Sequence, residues 1–427
     1  MTEEIKQLKE YVDSSPSPWH GAYAGSEILK KAGFKELNWG TKWDISSGGR
    51  YYTKVYGAML VAFTIGTEKL NKENSLRIGA AHLDFPGFRI KPAPEIVKEG
   101  YGTLNIESYG GAILYSWLDR PLSIAGRVAL KGKNAFSPSI QLVDCKEPIC
   151  TIPSLAIHMN RKVNEGMAFN KQKDILPLAA VLGKEGNKHF FEDFLAQEMH
   201  VAKEDILSYE LNVYPYEYGY NLGVNKDLYS SPRLDNMTSV VACIEGILAA
   251  NSSGLNMIVL FDNEEVGSRT KQGAGSVSLM QVLERIYTGL GYSREEMWQG
   301  VNGGFMLSAD VAHGLHPNYP DKIDPTNKPV LNGGVVIKQA ASQSYASDAR
   351  GVAVIKSLCQ ENSIPYQEFV NRGDIPGGAT LGSIASAQVP ILTADVGVPI
   401  LAMHSAREIM GTEDQHALNN LLKALFK

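Results

Sequence analysis

Along the chain, apolar and polar positions fall into blocks of different period. Residues 2–12 and 24–32 space their apolar positions as helices do, and SSPSPWHG between them carries two prolines and a glycine that predict a break. YYTKVYGAMLVAFTIG and SLRIGAAHLD are rich in β-branched and aromatic residues and punctuated by turn signals, the pattern of strands. From Pro92 to Tyr220 the blocks shorten to β-like pieces, GAILYSWL, RVALKG and IQLV, with one helical stretch in FFEDFLAQEM. After Tyr220, helical and strand patterns alternate through RLDNMTSVVACIEGILAA, NMIVLFD, GSVSLMQVLERIYTG, GGFMLSAD, YASDARGVAVIKSLCQEN, PILTADVG and PILAMHS. A last helix follows, in which Thr412 and Gln415 have capping-box spacing.

Alternation of this kind predicts an α/β fold, a mixed sheet with helices on both faces. The predicted boundaries are 1–91 and 226–427 for this domain and 92–225 for an inserted β-rich domain.

Composition narrows the function classes. The 427 residues are 44% hydrophobic and 20% charged, the balance of a soluble globular protein. A formal charge of -5 without a basic block argues against nucleic acid as a partner. The N-terminus lacks the regions of a signal peptide, and no apolar run approaches the ~20 residues that span a bilayer, so a cytoplasmic protein without a membrane partner is expected. The four cysteines are expected to be reduced; Cys145 and Cys150 in CKEPIC would need a second pair to form a zinc ribbon.

Candidate chemistry gathers where apolar runs end. IGAAHLD supplies His82 and Asp84, MIVLFDNEE supplies Glu264 and Glu265, FMLSAD supplies Asp310 and ILAMHS supplies His404. In open α/β sheets, ligands bind beyond the carboxyl ends of strands. Asp235 in SPRLDN stands near the start of a predicted helix, where the helix dipole alone would favour an acid. Single histidines are more often packing or surface residues, the reading given to His20, His189, His200 and His416, whereas His313 and His316 flank an active-looking loop.

Carboxylates crowded into a low-dielectric crevice repel one another unless a cation compensates. Two divalent ions would balance Asp235, Glu265, Asp310 and an activated water, with His82 and His404 as neutral ligands. Mixed imidazole and carboxylate donors suit zinc, with cobalt or manganese possible in the same shell. Glu264, beside a ligand, is then the candidate general base. Asp84 is the candidate partner for the other N–H of His82.

The segments AAHLDFPGFRIKP, SPRLDN, DNEEVGSRT, SADVAHGLHPNY and MHSAREIMGTED, in this order and with SPSPWH near the start, resemble the aspartyl aminopeptidase and vacuolar aminopeptidase I family of metallopeptidases. The resemblance implies a zinc-peptidase catalytic domain acting on short peptides with a free N-terminus. Asp235 would bridge two ions, His82 and Asp310 would complete one site, and Glu265 and His404 the other. It implies that the insertion is a dimerisation domain, that dimers assemble into a dodecamer, and that His158 in IPSLAIHMN reaches a neighbouring subunit's active site; read alone, His158 would be a core histidine. Lys338 in GGVVIKQ would pair with the side chain of the substrate's N-terminal residue, and Tyr345 in SYAS would donate to the oxyanion.

The chain departs from acid-preferring relatives at SQSYAS, where Ser344 replaces an arginine, and at Phe85, where a small polar residue is usual. Both changes remove polarity, so acidic and neutral or hydrophobic N-terminal residues both stay open. A deacylase of small N-acyl substrates, using the same ions, and an assembly protein that has lost turnover are the competing readings.

Overall fold

Strands buried at every position mark the centre of the main sheet: Met59–Ile65, Leu255–Phe261 and Phe305–Ala309. Such runs occur where helices cover both faces. The computed structural model describes residues 1–427 except 71, 72, 74, 184, 185 and 376. Among the described residues the chain forms two compact units, one of 1–84, 219–403 and 408–427, the other of 85–218 and 404–407.

The first unit carries a nine-stranded mixed sheet in the order Lys35–Glu36, Arg50–Val55, Met59–Ile65, Leu255–Phe261, Leu76–His82, Phe305–Ala309, Leu392–Gly397, Val335–Gln339, Tyr366–Val370. The run from Leu255–Phe261 to Leu392–Gly397 is parallel. Parallel pairing sets Phe261 opposite His82 and Ser308 opposite Ala80, so three strands end at one edge and their next residues include Asp84, Glu264 and Asp310.

Helices Leu234–Leu248 and Thr412–Leu425 pack together on one face. They come so near the sheet that a Cβ on Gly79 would meet Leu422 at 3.0 Å. On the other face, Leu279, Val282 and Ile286 of helix Ser278–Gly289 and Leu381 of helix Leu381–Gln388 join a core with Val61, Ile78 and Val259. A smaller sheet, Tyr220–Leu222, Leu228–Ser231, Glu408–Gly411, Pro399–Leu401 and Ala312–His313, sets Glu408 opposite Ser231.

The second unit is a six-stranded antiparallel sheet in the order Ser139–Asp144, Leu122–Leu130, Ile206–Pro215, Gly87–Lys98, Tyr101–Tyr109, Leu178–Val181. Its core includes Phe88 packed edge-on against Trp117, with ring centroids 4.8 Å apart.

Four sequence expectations differ from the structure. The insertion expected at 92–225 is a unit of 85–218 with 404–407, because Gly87–Lys98 is a strand of the inserted sheet and Tyr220–Leu222 pairs with Leu228–Ser231 in the first unit. The break expected at SSPSPWHG is present but shorter, confined to 14–17: Ser17 caps the helix Pro18–Lys31, where proline at the first position forfeits no hydrogen bond. GAILYSWL is no strand; its centre is a 3₁₀ turn, Leu114–Trp117. The Thr412–Gln415 capping box does not form, because Thr412 already lies inside the helix and Gln415 turns inward to donate to the Thr238 carbonyl.

Candidate metal centre

His82 is the last residue of its strand and 1% exposed. Its Nδ1 lies 3.0 Å from the carbonyl oxygen of Asp84, which can only accept, so Nδ1 carries the proton. The Nε2 lone pair then faces carboxylate oxygens of Asp235 at 3.4 Å and Asp310 at 3.5 Å. Without a cation, three acceptors would point at one another.

Donor atoms of His82, Asp235 and Asp310 lie within 4.8 Å of one another, and so do those of His82, Glu264 and Glu265. The donor set therefore fits a divalent ion. The alternative cation is a proton: burial opposes the charged imidazole, but Asp235, Asp310 and Asp84 outweigh it and hold the His82 pKa well above its ordinary value. Burial pushes Glu264 up to about 8, with Asp310, Asp84 and Asp235 adding to the rise, and burial followed by the Asp235 charge raises Glu265 well above the usual range.

Local backbone explains the placement. Asn263 and Gly267, both left-handed, bracket the 3₁₀ turn Glu264–Val266. The carboxylate of Asp84 accepts the N–H groups of Glu264 and Glu265 at 3.0 and 3.1 Å and stands 3.5 Å from Nδ1 of His82. One acid thus fixes both the imidazole and the turn. Asp262 stays behind the turn, accepting from Asn263 N–H and Gln272 Nε2.

Asp235 is not an ordinary first-turn acid. It has non-helical torsions, follows Arg233 in the left-handed region, precedes a cis peptide to Asn236, and is 4% exposed. Its N–H donates to Glu408 at 3.0 Å, and Asn236 donates to the Ala309 carbonyl just before Asp310. Glu408 and Asn236 were missed in the sequence. Glu408 lies within MHSAREIMGTED, yet nothing in its spacing shows that strand Glu408–Gly411 returns beside Ser231.

The remaining candidates are placed as follows. Lys338 is 1% exposed, donates to the carbonyls of Asp310 and Val311 at 2.9 and 3.0 Å, and stands 3.6 Å from the Asp310 carboxylate. These partners are protein groups rather than the substrate side chain expected from the resemblance. Tyr345 is buried, its ring centroid 5.3 Å from the Lys338 ammonium. His404 belongs to the second unit, where its Nδ1 lies 3.3 Å from the Gly111 carbonyl, the same main-chain arrangement that frees Nε2 in His82. His158 sits in an exposed turn of that unit, so it is no core histidine. His20 pairs with Ser17, His416 with Glu4, and His189 and His200 are exposed.

The model of the family described as aminopeptidase I zinc metalloprotease (M18) matches residues 11–426. A probable M18 family aminopeptidase 2 of Clostridium novyi (strain NT) is 44% identical over 413 residues, covering 96% of this chain and 95% of its own. Among solved structures, the chain is similar to one in the Ape4 and Nbr1 complex, with TM-score 0.94, 31% identity and coverage of 99% and 85%. It is also similar to one in the S. cerevisiae mApe1 dodecamer, with TM-score 0.87, 26% identity and coverage of 99% and 96%.

Proposed function

Since this chain belongs to the M18 family of aminopeptidase I zinc metalloproteases and is a metal-dependent aminopeptidase, we propose that it removes single residues from the free N-terminus of short peptides at a two-ion centre. The observation that carries this reading is the His82 imidazole, its Nδ1 proton committed to Asp84 and its Nε2 facing Asp235 and Asp310, with Glu264 alongside.

In this reading His82, Asp235, Glu265, Asp310 and His404 would hold the ions, with Asp235 shared between them. Zinc suits the donors, and cobalt or manganese fit the same shell. Bound ions of this kind polarise a carbonyl and lower the pKa of water. Glu264 takes the proton from the attacking water and delivers it to the leaving amine. Tyr345 donates to the developing oxyanion. Asp84 keeps the imidazole in its Nδ1–H form and the glutamate turn in register.

The protein is further proposed to be a cytoplasmic homo-oligomer, a dodecamer built from dimers, like the S. cerevisiae assembly. Support comes from the inserted unit, where Ser139–Asp144 is an edge strand that exposes Ile140 and Leu142 near the fully exposed Phe136. An edge of this kind is a template for pairing with another chain. His158, on its exposed turn, is the residue proposed to serve a neighbouring subunit.

The test is hydrolysis of aminoacyl anilides and of their N-acetylated versions, before chelation, after it, and after zinc is restored. Metal-dependent release from free amines alone is expected. Cleavage of only the acetylated compounds would favour the deacylase, and zinc occupancy without any cleavage would favour a non-catalytic assembly protein.

A further inference from the structure

Asp395 is a fully buried carboxylate of the first unit that stands outside the donor set of the metal centre. It lies in strand Leu392–Gly397, opposite Ser308 on one side and Lys338 on the other. Burying such a group costs free energy unless hydrogen bonds and a counter-charge compensate. Burial pushes the Asp395 carboxyl above its ordinary value, against the Lys338 charge and the hydrogen bonds it accepts.

Those bonds converge on the segment that carries Tyr345. Oδ2 accepts the N–H of Ala346, immediately after the tyrosine, at 2.5 Å. Oδ1 accepts the Thr380 hydroxyl at 2.6 Å, and the Thr380 N–H donates at 3.2 Å to the carbonyl of Ser344, immediately before the tyrosine. The N–H of Asp395 donates to Ser347 Oγ at 2.8 Å. One residue thus grips the main chain on both sides of Tyr345, directly on one side and through Thr380 on the other.

Thr380 stands at the N-cap of helix Leu381–Gln388, where a threonine oxygen ordinarily accepts a main-chain N–H of the first turn. Here it makes no such bond, and its hydroxyl goes to Asp395 instead. Helix and carboxylate are pressed together at Gly382, where a Cβ would stand 2.5 Å from Asp395 Oδ1. The ring of Tyr345 is held separately, 6.4 Å from Phe369 and 5.3 Å from the Lys338 ammonium.

Resting on the reading of Tyr345 as the oxyanion donor, we propose that Asp395 is a positioning residue: it fixes the main chain around Tyr345 so that the phenol is already aimed when charge develops on the scissile carbonyl. Oxyanion donors act through such preorganisation, and displacing a reacting group by about 1 Å costs on the order of 10²-fold in rate. Asp395 acts through the tyrosine and not on the substrate.

The test is a double-mutant cycle in the full-length zinc-loaded protein, with kcat and KM read on whichever of the leucine, alanine, aspartate and glutamate p-nitroanilides turns over fastest. Tyr345→Phe is expected to lower kcat by about 100-fold, the usual loss of one oxyanion donor. Asp395→Ala is expected to lower kcat by roughly 10- to 100-fold, and Thr380→Val by about tenfold, with KM little changed because the bond to the oxyanion forms only in the transition state. In the Tyr345→Phe background neither substitution is expected to cost more than about twofold further, since the hydroxyl they position is gone. Zinc content and melting temperature are measured for every variant; if Asp395→Ala does not fold, Thr380→Val decides. Unaltered kcat in Thr380→Val or in a folded Asp395→Ala, or an equal fold-loss with and without the tyrosine hydroxyl, overturns the positioning role. Full turnover by Tyr345→Phe overturns it as well, by removing the group to be positioned, and leaves the aminopeptidase standing. No hydrolysis of any anilide by the unaltered protein overturns both.

Discussion

Asp84 holds His82 through its own main chain: the imidazole Nδ1 is 3.0 Å from the Asp84 carbonyl, while the Asp84 carboxylate accepts two N–H groups from the turn bearing Glu264 and Glu265. Asp84→Ala should therefore loosen the glutamates more than the histidine. A loss of roughly 10- to 100-fold in zinc affinity, the usual cost of removing such a supporting group, is expected by chelator competition.

Glu264→Gln keeps the shape of the turn and removes the proton acceptor. Zinc content should stay near that of the unaltered protein, while kcat falls by roughly 10²- to 10⁴-fold, the typical contribution of general acid–base catalysis. Metal analysis alongside single-substrate kinetics checks both halves; wild-type turnover in the variant would remove Glu264 from its assigned role.

Lys338 is the buried counter-ion of Asp310. Lys338→Met strands that carboxylate and should lower stability by about 3 to 5 kcal/mol, the cost of breaking a buried pair from one side. Lys338→Arg should not restore it, since a planar guanidinium does not fit an ammonium's place between two carbonyls. Chemical denaturation of the metal-free forms measures this without relying on activity.

Asp414, on the last helix, accepts the N–H groups of Asn332 and Gly334 at 2.7 and 2.9 Å, and burial pushes its pKa up to about 7 despite those bonds. Because the folded pKa lies above the unfolded value of roughly 3.9, the folded state binds more protons between pH 4 and 7. Stability from this group is then present below pH 4 and lost as pH rises through 7. Asp414→Asn should flatten that slope, with the gap between the two proteins narrowing as pH increases in urea titrations.

Zinc itself should report on the folded site. Binding to the native state alone raises stability by about 2.7 kcal/mol at a free concentration one hundred times Kd. The melting temperature should climb with added zinc in the unaltered protein, and far less in Asp235→Ala, which removes a carboxylate facing His82.

The sheet was legible because its central parallel strands are largely apolar runs, and polar residues soon after them, Asp84, Glu264 and Asp310 among them, mark where they end. Asp235 was legible as a candidate ligand near a helix start, but not its non-helical torsions or the bond from its N–H to Glu408, which lies 173 residues away. Thr412 and Gln415 misled for a related reason, since burial of Gln415 against Thr238 outweighs local capping. The partners of Lys338 were hidden too, because a lone lysine in VVIKQ gives no sign that a neighbouring loop turns its carbonyls inward.

The donors' separation in the chain also governs how the site comes into being. Asp310 follows His82 by 228 residues, and the whole 85–218 unit is translated between them. At ~5 to 20 residues per second the ribosome needs roughly 10 to 45 s to bridge that interval. On the proposed reading, residues 85–218 emerge before Asp310 does, and a site that needs both His82 and Asp310 would take up an ion only once synthesis has entered the last third of the 427 residues.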